Sequence, residues 1–238
     1  CDLVLFNHCR DFDSLKKILA PKVFWCFDRI YWNGPGLEGR NITRTEWVKQ
    51  ATAISEIGFL TDGDWVATGT CDKLVWLTQG FNQYLPSVVP SEKDSGTILF
   101  TGGGKYYGRD SFVAEMRERY GSKFVHVGSG LHGQALAQTI ANASIVVAPD
   151  SPVTDRYWSN RVYLTLGLGG CLLHPYSHNL DKQYCDGKDL SLYTGMKELH
   201  ETIDFYLTNA KNRESLKSSG QQHTLKHHTY KHRCQKLI

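Results

Sequence analysis

Short apolar segments alternate with helix-forming segments along this chain, and the alternation stops once and then restarts. The apolar segments before the stop lie at 2–7, 22–28, 57–60 and 74–77. Residues 86–96 then hold two prolines, three serines and several charged side chains, a composition typical of a linker. A new strand candidate begins at Thr97. Strands that alternate with helices pair in parallel, so the sequence predicts an α/β fold of Rossmann-like type.

The stop at 86–96 predicts two domains, residues 1–90 and residues 91–238. The chain has 238 residues, of which 41% are hydrophobic, enough for two small cores. It begins at Cys1 within a strand candidate, so we expect an N-terminal domain that lacks its first strands.

Cysteine use and hydropathy bear on the compartment. The seven cysteines are scattered and form no C-x-x-C pair, which favours a reducing environment. No apolar segment reaches the roughly 18 residues of a membrane span, and no signal-peptide pattern opens the chain. We therefore expect a cytoplasmic protein without a membrane span.

A glycine-rich loop follows the first strand candidate of the second domain. It contains Gly102, Gly103, Gly104, Lys105 and Arg109 and leads into a helix candidate. Ligands of open α/β sheets bind at such strand ends, where glycines allow close approach and cations neutralise phosphate. The loop matches neither the dinucleotide fingerprint nor the Walker A motif, which disfavours a hydride carrier or a P-loop ATPase. The alternative is a flexible turn.

A second anion-binding candidate lies where the helix at 160–168 begins. Ser159 or Asn160 is a candidate cap, and Arg161 falls in the first turn. The alternative is one more helix–strand unit with its arginine on the solvated rim. In a parallel sheet the N-terminus of the helix at 160–168 and the glycine-rich loop lie at the same edge, so together they could bind one diphosphate.

Catalytic candidates come from the first domain. Asp28 and His8 follow strand candidates, where a carboxylate or imidazole could take a proton from a nucleophilic hydroxyl. Asp62, Asp64 and His174 are further candidates for this base. The alternative for each is a strand-end residue without a catalytic role.

The C-terminal segment concentrates basic side chains. His223, His227, His228 and His232 include pairs at i, i+4, which is metal-ligand spacing on a helix. Neighbouring lysines compete with a metal ion, so we expect no metal site. The open alternatives are a structural basic helix and a contact for nucleic acid or another polyanion.

Three motifs carry a family likeness. The patterns W-S-N-R-V-Y-x-x-L-G-x-G-G-x-L-L-x-P-Y at 158–176, L-x-x-x-Y-x-D-G-K-D-L at 180–190 and H-H-T-Y-x-H-R at 227–233 resemble the C-terminal half of GT-B glycosyltransferases. The resemblance is to the CgeB-like (spore maturation) branch of the glycosyl transferases group 1 clan. It is strong over 97–238 and weaker over 1–90.

The resemblance implies two Rossmann-like domains that face each other across a cleft, with the nucleotide sugar on the C-terminal domain and no metal cofactor. It implies that Gly103, Lys105, Arg109, Asn160 and Arg161 contact the donor. Asp28 matches the acceptor-side base loosely. The chain departs from the family pattern at Leu164, where many relatives carry a glutamate that holds the donor ribose.

The expected activity is therefore that of a hexosyltransferase that moves a sugar from a nucleotide-sugar donor, a UDP-sugar by preference, to a hydroxyl acceptor. Candidate acceptors are a glycan, a protein or a hydroxymethylated base in duplex phage DNA. The alternative is a catalytically inactive module that binds nucleotide sugars or polyanions, as the loss of the acidic residue at Leu164 would suggest.

Overall fold

The computed structural model describes residues 3–30, 38–85, 88, 95–103, 108–128, 130–150 and 153–237. The chain divides into two compact units, the first comprising Cys1–Gln79 with Thr154–Tyr157 and the second comprising Gly80–Val153 with Trp158–Ile238. Most of the predicted linker at 86–96 lies outside the described residues.

The first unit is built on a parallel sheet. Its strands follow one another in the order β1 (Val4–Phe6), β2 (Lys22–Cys26), β3 (Ile57–Leu60) and β4 (Leu74–Trp76). The helices between them are α1 (Phe12–Lys16), α2 (Glu38–Ile54) and α3 (Gly63–Val66). Phe24, Leu60 and Val48 are buried in its core, where strand and helix residues meet.

Two helix starts in this unit differ from the predictions. The sequence predicts a helix over 14–20 with Ser14 as its cap; this cap is wrong, because α1 begins earlier and Asp11 accepts a hydrogen bond from the Ser14 N–H at 2.9 Å. The sequence also predicts a capping box of Thr43 and Glu46 that opens a helix ending near Ser55; this is wrong, because α2 begins at Glu38 and both residues lie inside it.

The second unit carries a five-stranded parallel sheet in the order β6-β5-β7-β8-β9. The strands are β5 (Ile98–Thr101), β6 (Phe124–Val127), β7 (Ile145–Val147), β8 (Leu172–Pro175) and β9 (Ser191–Tyr193). The helices are α4 (Arg109–Tyr120), α5 (Gly133–Asn142), α6 (Arg161–Gly167), α7 (Met196–Thr208), α8 (Ala210–His227) and α9 (Tyr230–Cys234). The predicted α/β fold with parallel sheets is thus confirmed.

The central strands of this sheet determine which edge of the sheet can bind a ligand, called the ligand edge below. All residues of β5, β7 and β8 are buried, as expected for strands that are covered on both faces. The chain passes from β5 to β6 on one side and then to β7 on the other, with Ile98 beside both Phe124 and Ile145. The carboxyl ends of β5 and β7 therefore form the topological switch point, where open α/β sheets bind ligands.

The last residues of the chain close this unit. The Phe81 N–H donates to the His228 carbonyl at 2.8 Å, and the Tyr230 N–H donates to the Phe81 carbonyl at 2.9 Å. The sequence predicts a mostly helical segment over 212–238 with a break at Gly220; the break is wrong, because α8 runs on to His227. A Cβ atom at Gly220 would lie 2.2 Å from the Asp189 carbonyl oxygen, so glycine serves close packing here.

Three of the C-terminal histidines form a ring cluster, in which His223 stacks on His228. The ring of His223 lies 4.9 Å from that of His227 and 5.2 Å from that of His228. Arg233 Nη2 donates to His228 Nδ1 at 3.1 Å. His232 belongs to the capping box that opens α9 with Thr229. Among the described residues, no group of three or more His, Cys, Asp or Glu side chains is arranged to hold a metal ion.

Among the residues that the structure describes, no helix is both long enough and apolar enough to cross a membrane.

The burial of His228 makes stability depend on pH. Burial, with the charge of Arg233 next, lowers the pKa of His228 to about 3, whereas an unfolded histidine has a pKa of about 6.5. Between these values the unfolded chain binds a proton that the folded chain does not. We expect the His228 contribution to fall by about 1.4 kcal/mol per pH unit as the pH drops through this range.

Urea unfolding at a series of pH values measures this contribution in wild type and in His228→Asn, whose amide oxygen can still accept a hydrogen bond from Arg233. The variant should show the shallower pH dependence. The same substitution at the exposed His178 is the control. Equal slopes for wild type and His228→Asn would contradict the assignment.

Candidate functional site

At the switch point of the second unit, the two predicted anion-binding segments meet. Gly102 follows β5 with φ +139°, a backbone conformation that favours glycine. A Cβ atom at this position would lie 2.8 Å from Nη1 of Arg161, the first residue of α6. The backbone of the glycine-rich loop and the arginine of the second segment are therefore in direct contact.

The guanidinium of Arg161 is held on two sides. Its Nη2 donates to Asp150 Oδ1 at 3.1 Å, and its carbon lies 5.8 Å from the centroid of the Phe100 ring. Phe100 stacks in turn on His126, whose Nε2 lies 2.8 Å from the Gly102 carbonyl oxygen. Since a carbonyl oxygen only accepts, His126 Nε2 carries the proton. The Arg161 side chain is 16% exposed, so its charge is fixed at the edge of the sheet.

Asp150 is the centre of this hydrogen-bond network. Its carboxylate, which is 6% exposed, accepts from Arg161, from His174 Nε2 at 3.0 Å and from the Ser159 N–H at 3.4 Å. Burial alone would raise the pKa of Asp150, but the charge and hydrogen bond of His174, followed by the charges of Arg161 and Arg109, lower it to about 2. Asp150 is thus ionised at neutral pH.

Three buried polar atoms where α6 begins find no hydrogen-bond partner within the described residues. They are Ser159 Oγ, Asn160 Oδ1 and Arg161 Nε. Asn160 occupies the N-cap position of α6, yet its side chain makes no capping bond. Buried polar groups are nearly always hydrogen-bonded, so these atoms represent bonding capacity that a ligand can use.

Arg109 lies on the other side of the glycine-rich loop. It opens α4, and its Nη1 donates to the Gly103 carbonyl oxygen at 3.4 Å. The other two predicted donor residues of this loop, Gly104 and Lys105, lie outside the described residues.

A cavity of about 470 Å³ opens beside Arg109 and Asp150. Its walls are mainly apolar and aromatic and include Phe112, Pro175 and Tyr193. Leu164 lies within α6 and is half-buried. It has no polar group for a ribose.

In the first unit, the two predicted catalytic residues are neighbours. His8 Nε2 lies 3.5 Å from Asp28 Oδ2, and both side chains are about half exposed, at 54% and 41%. Among the described non-glycine residues, only His8 has a positive φ, of +50°. Its ring lies 5.9 Å from that of Trp47, and Arg44 Nη2 lies 3.6 Å from Asp28 Oδ2.

The remaining candidates for the base have other partners. Asp62 is 1% exposed and accepts from the N–H groups of Ile30 and Trp65, as the N-cap of α3. Asp64 pairs with Arg156 at 3.8 Å. Because His174 is fully buried, it has no access to an acceptor hydroxyl.

Sequence reasoning left Asp150 and His126 without a role. The available signal was a polar side chain near the carboxyl end of a strand on the ligand edge. Asp150 lies just beyond the buried strand β7, and His126 is the penultimate residue of β6, whose later residues are partly exposed.

The family model described as "Glycosyl transferase-like" matches residues 105–238. The comparison with curated protein sequences gave no match.

Solved structures with a similar fold cover nearly the whole chain at low sequence identity. Sucrose-phosphate synthase from Thermosynechococcus elongatus has 12% identity and a TM-score of 0.69, over 99% of this chain and 72% of that chain. Anabaena HepE in complex with UDP and glucose has 13% identity and a TM-score of 0.68, over 99% and 76%. TarM has 9% identity and a TM-score of 0.72, over 99% of this chain and 53% of its own. The predicted GT-B fold class is confirmed by these likenesses.

Proposed function

This chain belongs to the glycosyl transferase-like family, and we propose that it transfers a hexose from a nucleotide-sugar donor to a hydroxyl acceptor. One observation carries the proposal: the guanidinium of Arg161, fixed by Asp150, lies against the Gly102 backbone at the switch point of a Rossmann-like sheet. A diphosphate is the ligand that such a cation and loop fit best.

The proposed donor is a UDP-sugar. HepE, which shares the fold, was solved with UDP and glucose. Arg161 and Arg109 supply positive charge for the diphosphate, and the unpartnered atoms of Ser159 and Asn160 supply further hydrogen bonds. With two arginines in place, we propose that donor binding needs no added metal ion, and that Gly104 and Lys105 complete the phosphate loop.

In the proposed reaction, the bond between the anomeric carbon and the diphosphate breaks, and a bond to the acceptor oxygen forms. The arginines stabilise the charge that develops on the leaving diphosphate. The acceptor proton goes to the pair of Asp28 and His8. In this pair His8 takes the proton, and Asp28, which also lies 3.6 Å from Arg44, orients the ring.

The proposal also covers the branch of the family and the class of acceptor. We place the chain in the CgeB-like branch on its motifs at 158–176, 180–190 and 227–233. Glycans, proteins and hydroxymethylated duplex DNA are the acceptor classes to compare. A DNA acceptor requires binding that weakens steeply with salt, because counterions are released from the phosphates. Turnover on small acceptors that is insensitive to salt would exclude it.

A second function rests on Leu164, which replaces the acidic ribose ligand of many relatives: a module that binds nucleotide sugars without transferring them. The two functions differ in one measurement. A donor that binds but is neither hydrolysed nor transferred to any acceptor class identifies the binding module.

We expect Arg161→Ala to weaken nucleotide binding roughly tenfold to hundredfold, because a buried charge-assisted hydrogen bond is lost. A thermal-shift panel of nucleotide sugars with EDTA identifies the donor. A ligand at 100 times its Kd adds about 2.7 kcal/mol, or roughly 5 to 11 °C in Tm for a chain of this size. Calorimetry then compares the variant with Arg119→Ala, a control whose exposed arginine pairs with Asp204 on the surface. Unchanged binding in Arg161→Ala would remove the proposed site.

Substitution at Asp28 or His8 should lower kcat and leave donor binding intact. We expect Asp28→Asn and His8→Gln each to reduce kcat by about 10²-fold or more, because proton transfer to the base is impaired. Radiolabelled sugar transfer at saturating donor measures kcat, and calorimetry with UDP measures binding. Asp13→Asn, at an exposed carboxylate paired with Lys16, is the control. If both variants turn over like wild type, the acceptor-side base lies elsewhere.

A further inference from the structure

His174 is fully buried on β8, and both of its ring nitrogens face oxygen atoms. Nδ1 lies 2.7 Å from the Pro175 carbonyl oxygen, and Nε2 lies 3.0 Å from Asp150 Oδ2. A carbonyl oxygen only accepts hydrogen bonds, so the proton of a neutral ring would be on Nδ1. Nε2 would then point a lone pair at a carboxylate. The contact is attractive only if a second proton lies between the two groups.

The pKa of Asp150 is lowered to about 2, so its carboxylate is ionised. Both ring nitrogens of His174 therefore face atoms that only accept hydrogen bonds, and from this geometry we infer that the ring is an imidazolium. The charged neighbours of this pair are Arg161 from α6 and Arg109 from α4. Burial raises the pKa of Tyr193 on β9, which keeps that phenol neutral.

The charges around Asp150 do not cancel. One carboxylate is bonded to two cations, His174 and Arg161, at 3.0 and 3.1 Å. The His174 side chain is fully buried and has no access to solvent. The guanidinium of Arg161 lies beside Gly102, so the uncompensated positive charge is located at the ligand edge.

We propose that His174 is a positioning residue for the donor site. As an imidazolium, it donates to Oδ2 of Asp150 and so orients Oδ1 toward Arg161. It also neutralises the charge of Asp150, which leaves the positive charge of Arg161 uncompensated and available to an anionic ligand. The positioning depends only on the network itself. Its effect on a nucleotide diphosphate rests on the proposed function.

The protonation state is tested without any ligand. Nitrogen NMR of the whole chain, labelled with ¹⁵N in histidine and arginine, should show a directly bonded proton on each ring nitrogen of His174 at neutral pH. His174→Gln identifies the signal by its loss, and it should also shift the Nε resonance of Arg161. A single protonated ring nitrogen, or an unmoved Arg161 resonance, would overturn the proposal.

The effect on binding uses UDP as the probe. We expect His174→Gln, which retains a donor for Asp150 but not the charge, to weaken UDP binding about tenfold. Because His174 acts through Arg161, the double variant with Arg161→Ala should bind UDP no more weakly than Arg161→Ala alone. Effects that add would overturn the proposal. The exposed His178→Gln is the control.

Two outcomes separate this proposal from the proposed function. If wild type binds no UDP, the proposed function fails, and the NMR measurements still decide the role of His174. If wild type binds UDP and His174→Gln binds it equally well while folded by circular dichroism, the positioning role fails alone.

Discussion

The ligand edge of the second unit depends on the hydrogen bonds of one buried carboxylate, that of Asp150. Removing a carboxylate from water costs several kcal/mol unless its oxygens are fully bonded. Here Arg161, His174 and the Ser159 N–H satisfy them. These partners come from β8, from α6 and from the segment before α6, so one charge fixes three pieces of chain. The same bonds place a cation at Gly102, which connects the stability of this edge with its chemistry.

Much of the fold followed from the sequence because buried parallel strands are continuous apolar runs. β3 at Ile57–Leu60 has the predicted bounds. The wrong predictions of helix boundaries include a position where a contact distant in sequence determines the structure. Gly220 remains helical because its missing side chain admits the Asp189 backbone, a contact that no local pattern reveals. Residue type alone likewise could not distinguish Asp11 from Ser14 as the cap of α1.

The candidate site was predictable in outline. Parallel topology requires that Gly102 and Arg161 share an edge, and family motifs pointed to the same residues. What the sequence could not supply is the network behind them. Asp150 follows an apolar strand and His174 lies near the end of one, and the sequence at such positions does not show whether the polar side chain is exposed or buried. Their roles depend on side-chain directions and on burial, which only the packed structure fixes.

The bridge between Phe81 and Thr229 has a consequence for how the protein is made. It joins Phe81, near the start of the second unit, to Thr229, far later in the sequence, so this contact can form only after Thr229 has left the ribosome. Contacts between such distant residues also slow folding, because a long loop must be ordered first. During synthesis this part of the second unit is therefore incomplete until then, and apolar surface that is exposed in the meantime favours aggregation.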